Sequence, residues 1–141
     1  MTLCFIAGIT GSRACVCHWP SDYTNHELDL DMLNDASVIV SGSVIQTTES
    51  FGGSFMKQEV TFDVIEVFKN FSDSVITIMN WYPGCEEYEL GGEYLLFLTI
   101  GPEDRFQLAY CYGRIPLHPA EEHWKKNSAE LLRQAREFKV Q

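Results

Sequence analysis

Positive charge is scarce in this chain. Ten Lys and Arg stand against twenty Asp and Glu in 141 residues, a formal net charge of −10 at neutral pH. Contacts to phosphate need Lys and Arg, so this balance argues against nucleic acid and anionic membrane surfaces as partners. Long apolar runs are missing too: no stretch approaches the roughly 20 residues that a membrane-spanning helix requires. Internal repeats and low-complexity segments are absent. With 45% hydrophobic and 21% charged residues, the composition is that of about one globular domain with a real core.

Cysteine is sparse and odd in number: Cys4, Cys15, Cys17, Cys85 and Cys111. An odd count leaves one thiol over, which is awkward in a secreted protein. The run Gly11-Ser12-Arg13-Ala14 resolves this, because small residues at the third and first positions before Cys15 resemble a signal-peptidase site. Cleavage there removes Cys4 and leaves four cysteines, enough for two disulfides. Residues 1–14 are accordingly read as a signal peptide with a truncated start, since Met1 to Ile9 is short and no Lys or Arg precedes it. Residues 15–141 form the domain. The competing reading is an ordinary N-terminal strand in a cytosolic protein.

Along the chain, residues 18–34 are polar and acidic and read as a surface connection with one helical turn near Leu28 to Leu33. Five strands follow. Ala36 to Thr48 is rich in β-branched residues, with Val38, Val40 and Val44 on one face and Gly42 among them where the strand can coil. In Met56 to Lys69, Val60, Phe62 and Val64 alternate until the apolar phase slips to Ile65 and Val67, as at a β-bulge. Ser74 to Trp81 is the third strand, entered through a turn over Asn70 to Asp73. Glu93 to Ile100 is apolar without alternation, so both faces are expected to be covered. After the turn at Gly101-Pro102-Glu103-Asp104, Arg105 to Tyr112 is the fifth.

The tail is helical, with Pro119 at the first helical position and Trp124, Ser128, Leu131, Ala135 and Phe138 on one face. A long bent second strand and a packing helix point to a mainly β fold. The expected architecture is a five-stranded closed barrel of the oligonucleotide/oligosaccharide-binding (OB) type with a C-terminal helix packed on it. That barrel often binds single strands, but the basic groove this requires is missing here.

One resemblance joins these parts. Cys15-Val16-Cys17 directly after a cleavage site is followed by Ala36-Ser37-Val38-Ile39-Val40-Ser41-Gly42 and then Thr61-Phe62-Asp63-Val64-Ile65-Glu66-Val67-Phe68-Lys69. A lone loop cysteine (Cys85), Gly92-Glu93-Tyr94-Leu95-Leu96-Phe97 and Leu108-Ala109-Tyr110-Cys111 complete the order. From Cys15 to Phe138 the chain resembles the N-terminal, netrin-like domain of the tissue inhibitors of metalloproteinases.

The resemblance implies disulfides Cys15–Cys85 and Cys17–Cys111; spacing alone leaves three pairings open. Each bridge would close a loop worth about 4–5 kcal/mol in the chain-entropy model and would preorganise the N-terminus. It also implies that the α-amine and carbonyl of Cys15 chelate, in trans, the catalytic zinc of an extracellular metalloprotease. Val16 would enter the pocket beside the metal, and Cys17, His18, Pro83, Gly84 and Glu86 would complete the inhibitory ridge. The zinc belongs to the target; no cofactor and no catalytic activity of its own are expected. Two departures stand out: the family's third disulfide in this domain has no cysteines here, and Val16 replaces its usual hydroxyl residue.

The main alternative is a netrin-like module that binds some other extracellular protein, with Cys15 to Cys17 serving only as a staple. A third class, metal binding or thiol chemistry by Cys15, Cys17 and His18, lacks a second ligand pair and any marked cysteine–histidine couple. Finally, Asn70-Phe71-Ser72 matches the N-glycosylation acceptor pattern at an expected turn.

Overall fold

The computed structural model describes residues 30–52, 55–81, 83, 87–110, 113–120 and 122–139. A short helix α1 (Leu30–Asp35) leads into strands β1 (Val38–Gly52), β2 (Phe55–Lys69), β3 (Val75–Asn80) and β4 (Glu93–Ile100). A 3₁₀ turn (Pro102–Asp104) precedes β5 (Phe106–Leu108) and β6 (Arg114–Pro116), and α2 (Glu122–Lys139) follows.

The hydrogen-bonded order β1-β2-β3-β5-β4 closes on itself because β4 also pairs with β1. All pairs are antiparallel except β3–β5, which run parallel. A mixed five-stranded closed barrel with a C-terminal helix is the OB-type architecture expected from the sequence. β6 extends the β5 side of the sheet along the first half of β4.

Closure needs bent strands, and bulges provide the bends. The β1–β2 ladder shifts register three times, leaving Ile45, Ile65 and Phe68 unpaired. The phase slip read at Ile65 is one of these bulges, and Ile65 is turned outward at 54% exposure so that Val67 can face the core. Gly42 is across the ladder at this same shift, where a Cβ would stand 2.9 Å from the Asp63 carbonyl.

β4 is covered on both faces, as its unbroken apolar run implies. Tyr94, Leu96 and Leu98 join Val40, Phe62 and Ile78 inside the barrel. Leu95 and Phe97 face a second core with Met32 of α1, Ile39, and Leu131 and Ala135 of α2. Ser128, Leu131, Ala135 and Phe138 therefore pack as their spacing predicts.

Three boundaries differ from expectation. β1 runs on to Gly52, through a hairpin arm, Glu49-Ser50-Phe51-Gly52, whose single large apolar residue sets no alternation. The fifth strand stops at Leu108 instead of Tyr112, and the Gly113 N–H bonds to the Tyr110 carbonyl before β6 begins. Pro119 is not at the first helical position: α2 begins at Glu122, after Leu117 has bonded back to the Glu93 carbonyl.

Candidate functional site

The connection from β3 to β4 is held at both stems. On the near side, the Trp81 indole donates to Gln107 Oε1 at 2.8 Å, and the Lys57 ammonium lies 5.5 Å from the indole ring. Pro83 follows in a turn, half-buried. On the far side, the Arg114 guanidinium donates to the Glu87 carbonyl. Tyr88 then enters the end of the barrel, its ring edge-on to Phe62 at 5.7 Å and to Tyr94 at 5.3 Å. Gly91 and Gly92 bind both backbone groups of Val44, and Gly91 takes the positive φ of 83° that the turn into β4 needs.

Arg114 carries a second contact. Its guanidinium carbon lies 4.9 Å from the Tyr88 ring and 5.2 Å from the Tyr94 ring, so the cation stacks over two aromatic faces while it binds the loop backbone. A planar guanidinium suits both contacts, offering a flat face to the rings and fixed N–H groups to the carbonyl.

The other cysteine-bearing segment comes to the same place. Phe97 accepts from the Ala109 N–H and donates to the Gly113 carbonyl, while the Gly113 N–H closes on Tyr110. Gly113 fits closely there: a Cβ would stand 3.0 Å from the Phe97 carbonyl oxygen and 3.1 Å from that of Tyr110, so the backbone would have to give by a few tenths of an ångström. Arg114 is the next residue. The stem after Cys85 and the stem after Cys111 are thus joined through one side chain. The Tyr110 hydroxyl donates to Asp35 Oδ2 at 3.4 Å, at the end of α1. Lys69 holds that end by donating to the Leu33 and Asn34 carbonyls at 3.0 and 2.7 Å.

Of the residues read from the sequence as the site, Pro83 is described, in the loop just outlined. Cys15, Val16, Cys17, His18, Gly84, Cys85, Glu86 and Cys111 lie outside the described residues. Nothing in the sequence marks Arg114: a single Arg after Tyr-Gly has no periodic partner, and only the fold sets it over two tyrosines.

A cleft of about 510 Å³ separates α2 from the outer face of the barrel. His118 and Glu93 stand at its rim, 2.9 Å apart, and Ser128 lines it. The three do not form a nucleophile–base pair, since the Ser128 hydroxyl donates to the Pro116 carbonyl at 2.6 Å. Glu66 binds Arg136 at 3.0 Å and Lys139 at 3.7 Å, latching α2 to β2. The hydrogen bond to Glu66 and its charge hold the Arg136 guanidinium further above its already high range. Among the described residues, no three His, Cys, Asp or Glu converge as a metal-ligand set.

The class these features define is a small OB-type barrel with two anchored loops brought together at one end of β6. No protein-family model matches the chain, and no curated protein is detectably similar to it.

Proposed function

We propose that this chain is a secreted inhibitor of zinc metalloendopeptidases, with Cys15 as the residue that meets the target's zinc. The observation that carries the reading is the convergence on Arg114 of the stems following Cys85 and Cys111. Cys15 and Cys17 are two positions apart, so an extended chain separates their Cα atoms by about 6.5–7 Å. Each disulfide spans roughly 4.4–6.8 Å between Cα atoms. A Cys-x-Cys segment therefore bridges to two loops only where those loops are close neighbours, and stems joined by one guanidinium meet that condition.

With residues 1–14 removed and both bridges closed, the α-amine and carbonyl oxygen of Cys15 form a chelate at the end of the barrel. A catalytic zinc keeps one position open to water, and the chelate displaces that water. The amine binds only when unprotonated and uncapped. Val16 fills the pocket beside the metal, and Cys17, His18, Pro83, Gly84 and Glu86 exclude solvent around it. The protein supplies no metal and performs no catalysis. Preorganisation by two disulfides limits the entropy lost on binding.

The test begins with the protein secreted by its native host. Intact mass and N-terminal sequencing are expected to give a start at Cys15 and a mass about 4 Da below the reduced chain, two hydrogens per bridge. Inhibition is then measured on a panel of zinc metalloendopeptidases, comparing this form with one carrying an extra Ala before Cys15. The extension is expected to weaken inhibition by about 100-fold, roughly 2.7 kcal/mol. Equal inhibition by both forms, or a natural start elsewhere, removes the chelating mechanism and leaves a netrin-like module for another extracellular protein.

A further inference from the structure

The turn between β2 and β3 carries a chemistry that the inhibitor reading does not use. Of the five asparagines, only Asn70 is followed by the x-Ser/Thr pattern, as Asn70-Phe71-Ser72. The structure sorts these three residues by direction. Phe71 is half-buried against the barrel core and stands edge-on to Phe106, ring centroids 6.1 Å apart. With the middle residue turned in as a plug, its neighbours are turned out: Asn70 and Ser72 are both exposed. Asn70 has φ 51°, the left-handed conformation that asparagine tolerates better than other side chains, so the turn presents it without much strain.

Position in the barrel matters as much as exposure. β2 ends and β3 begins at the end of the barrel where β4 finishes and β5 starts. The connection from β3 to β4, with Pro83 and Glu87, is at the opposite end. A large polar group on Asn70 therefore projects away from the loops joined by Arg114.

We infer that Asn70 is the acceptor for an N-linked oligosaccharide when the chain is in a secretory lumen. The transfer is performed by a host transferase from a polyprenyl-pyrophosphate-linked oligosaccharide. The Asn70 side-chain nitrogen forms a bond to the anomeric carbon, whose bond to the phosphate oxygen breaks. The amide gives up one proton and the polyprenyl pyrophosphate leaves. No electrons are exchanged. The inference rests on the secretory part of the reading above, and not on zinc chelation.

The test is translation of the full chain in the presence of endoplasmic-reticulum microsomes, in two arms: the chain as it stands, and the same chain behind a strong heterologous secretory signal. In the second arm one glycan's mass is expected to be added to the protease-protected product. A peptide-N-glycosidase is expected to remove it and convert the asparagine to aspartate. Asn70→Gln and Ser72→Ala are each expected to abolish the shift, the second without touching the left-handed position. A protected, unmodified product in this arm overturns the acceptor assignment. A modified product there beside an unprotected one in the first arm supports the acceptor and counts against secretion by the chain's own leader.

Discussion

A methyl group added at Gly42 would stand 2.9 Å from the Asp63 carbonyl oxygen and 3.0 Å from the Phe62 Cβ. Both neighbours are fixed, one by the ladder and one by the core, so the strand cannot yield without moving the bulge. Gly42→Ala is therefore expected to cost about 1–3 kcal/mol, read as a lower urea midpoint at unchanged slope. Asn127 presents the opposite case. It is 1% exposed, and neither its amide nitrogen nor its oxygen has a hydrogen-bond partner among the described residues. An unsatisfied buried amide costs about 1–3 kcal/mol, which an apolar side chain of similar size recovers in part. Asn127→Leu is expected to raise the urea midpoint by the equivalent of about 1 kcal/mol. A fall instead would mean that the site is polar and that a bound water satisfies the amide.

At the scale of the element, the connection from β3 to β4 depends on Arg114 for both its backbone bond at Glu87 and its stacking on Tyr88 and Tyr94. Lys keeps the charge and loses the planar fork. Arg114→Lys is expected to speed hydrogen exchange of the amides at 87–92 by about tenfold, roughly 1.4 kcal/mol of local opening, while β4 amides stay protected. Uniform acceleration across both would show that Arg114 supports the whole barrel and not this loop. Sequence and structure agree best where one physical signal dominates. Glu93–Ile100 could be bounded from its unbroken apolar run, and the bulge at Ile65 from a slip in alternation. The hairpin arm beyond Thr48 pairs Glu49 with Gln58 and Ser50 with Lys57 before Phe51 meets Met56, and one apolar residue next to Gly52-Gly53 sets no period. β6 has three residues and ends in Pro116, too short for any pattern. The candidate site is a harder case. Cysteine spacing pointed to its ends, but Arg114 is defined only by residues distant in the chain.

At the scale of the whole molecule, β4 divides two cores that cannot easily come apart. Its even positions fill the barrel with Phe62 and Ile78, and its odd positions face Met32, Ile39, Leu131 and Ala135. Undocking α2 would expose Leu95 and Phe97, both 0% exposed in the folded chain, without releasing the barrel residues beside them on the same strand. Losing one core therefore strips β4 of half its burial, and the ion pairs of Glu66 with Arg136 and Lys139 are too exposed to hold the helix by themselves. Helix and barrel should then unfold as one unit. Leu131 is fully buried on the α2 side, and Leu131→Ala is expected to cost about 2–5 kcal/mol through lost contacts and the cavity left behind. The informative readout is the shape of the transition. Helical signal in the far ultraviolet and aromatic signal in the near ultraviolet are expected to shift together, with the urea slope unchanged. If the helical signal were lost first and the slope fell, α2 would be a separately docked element, and the barrel would be the cooperative unit that presents the two loops.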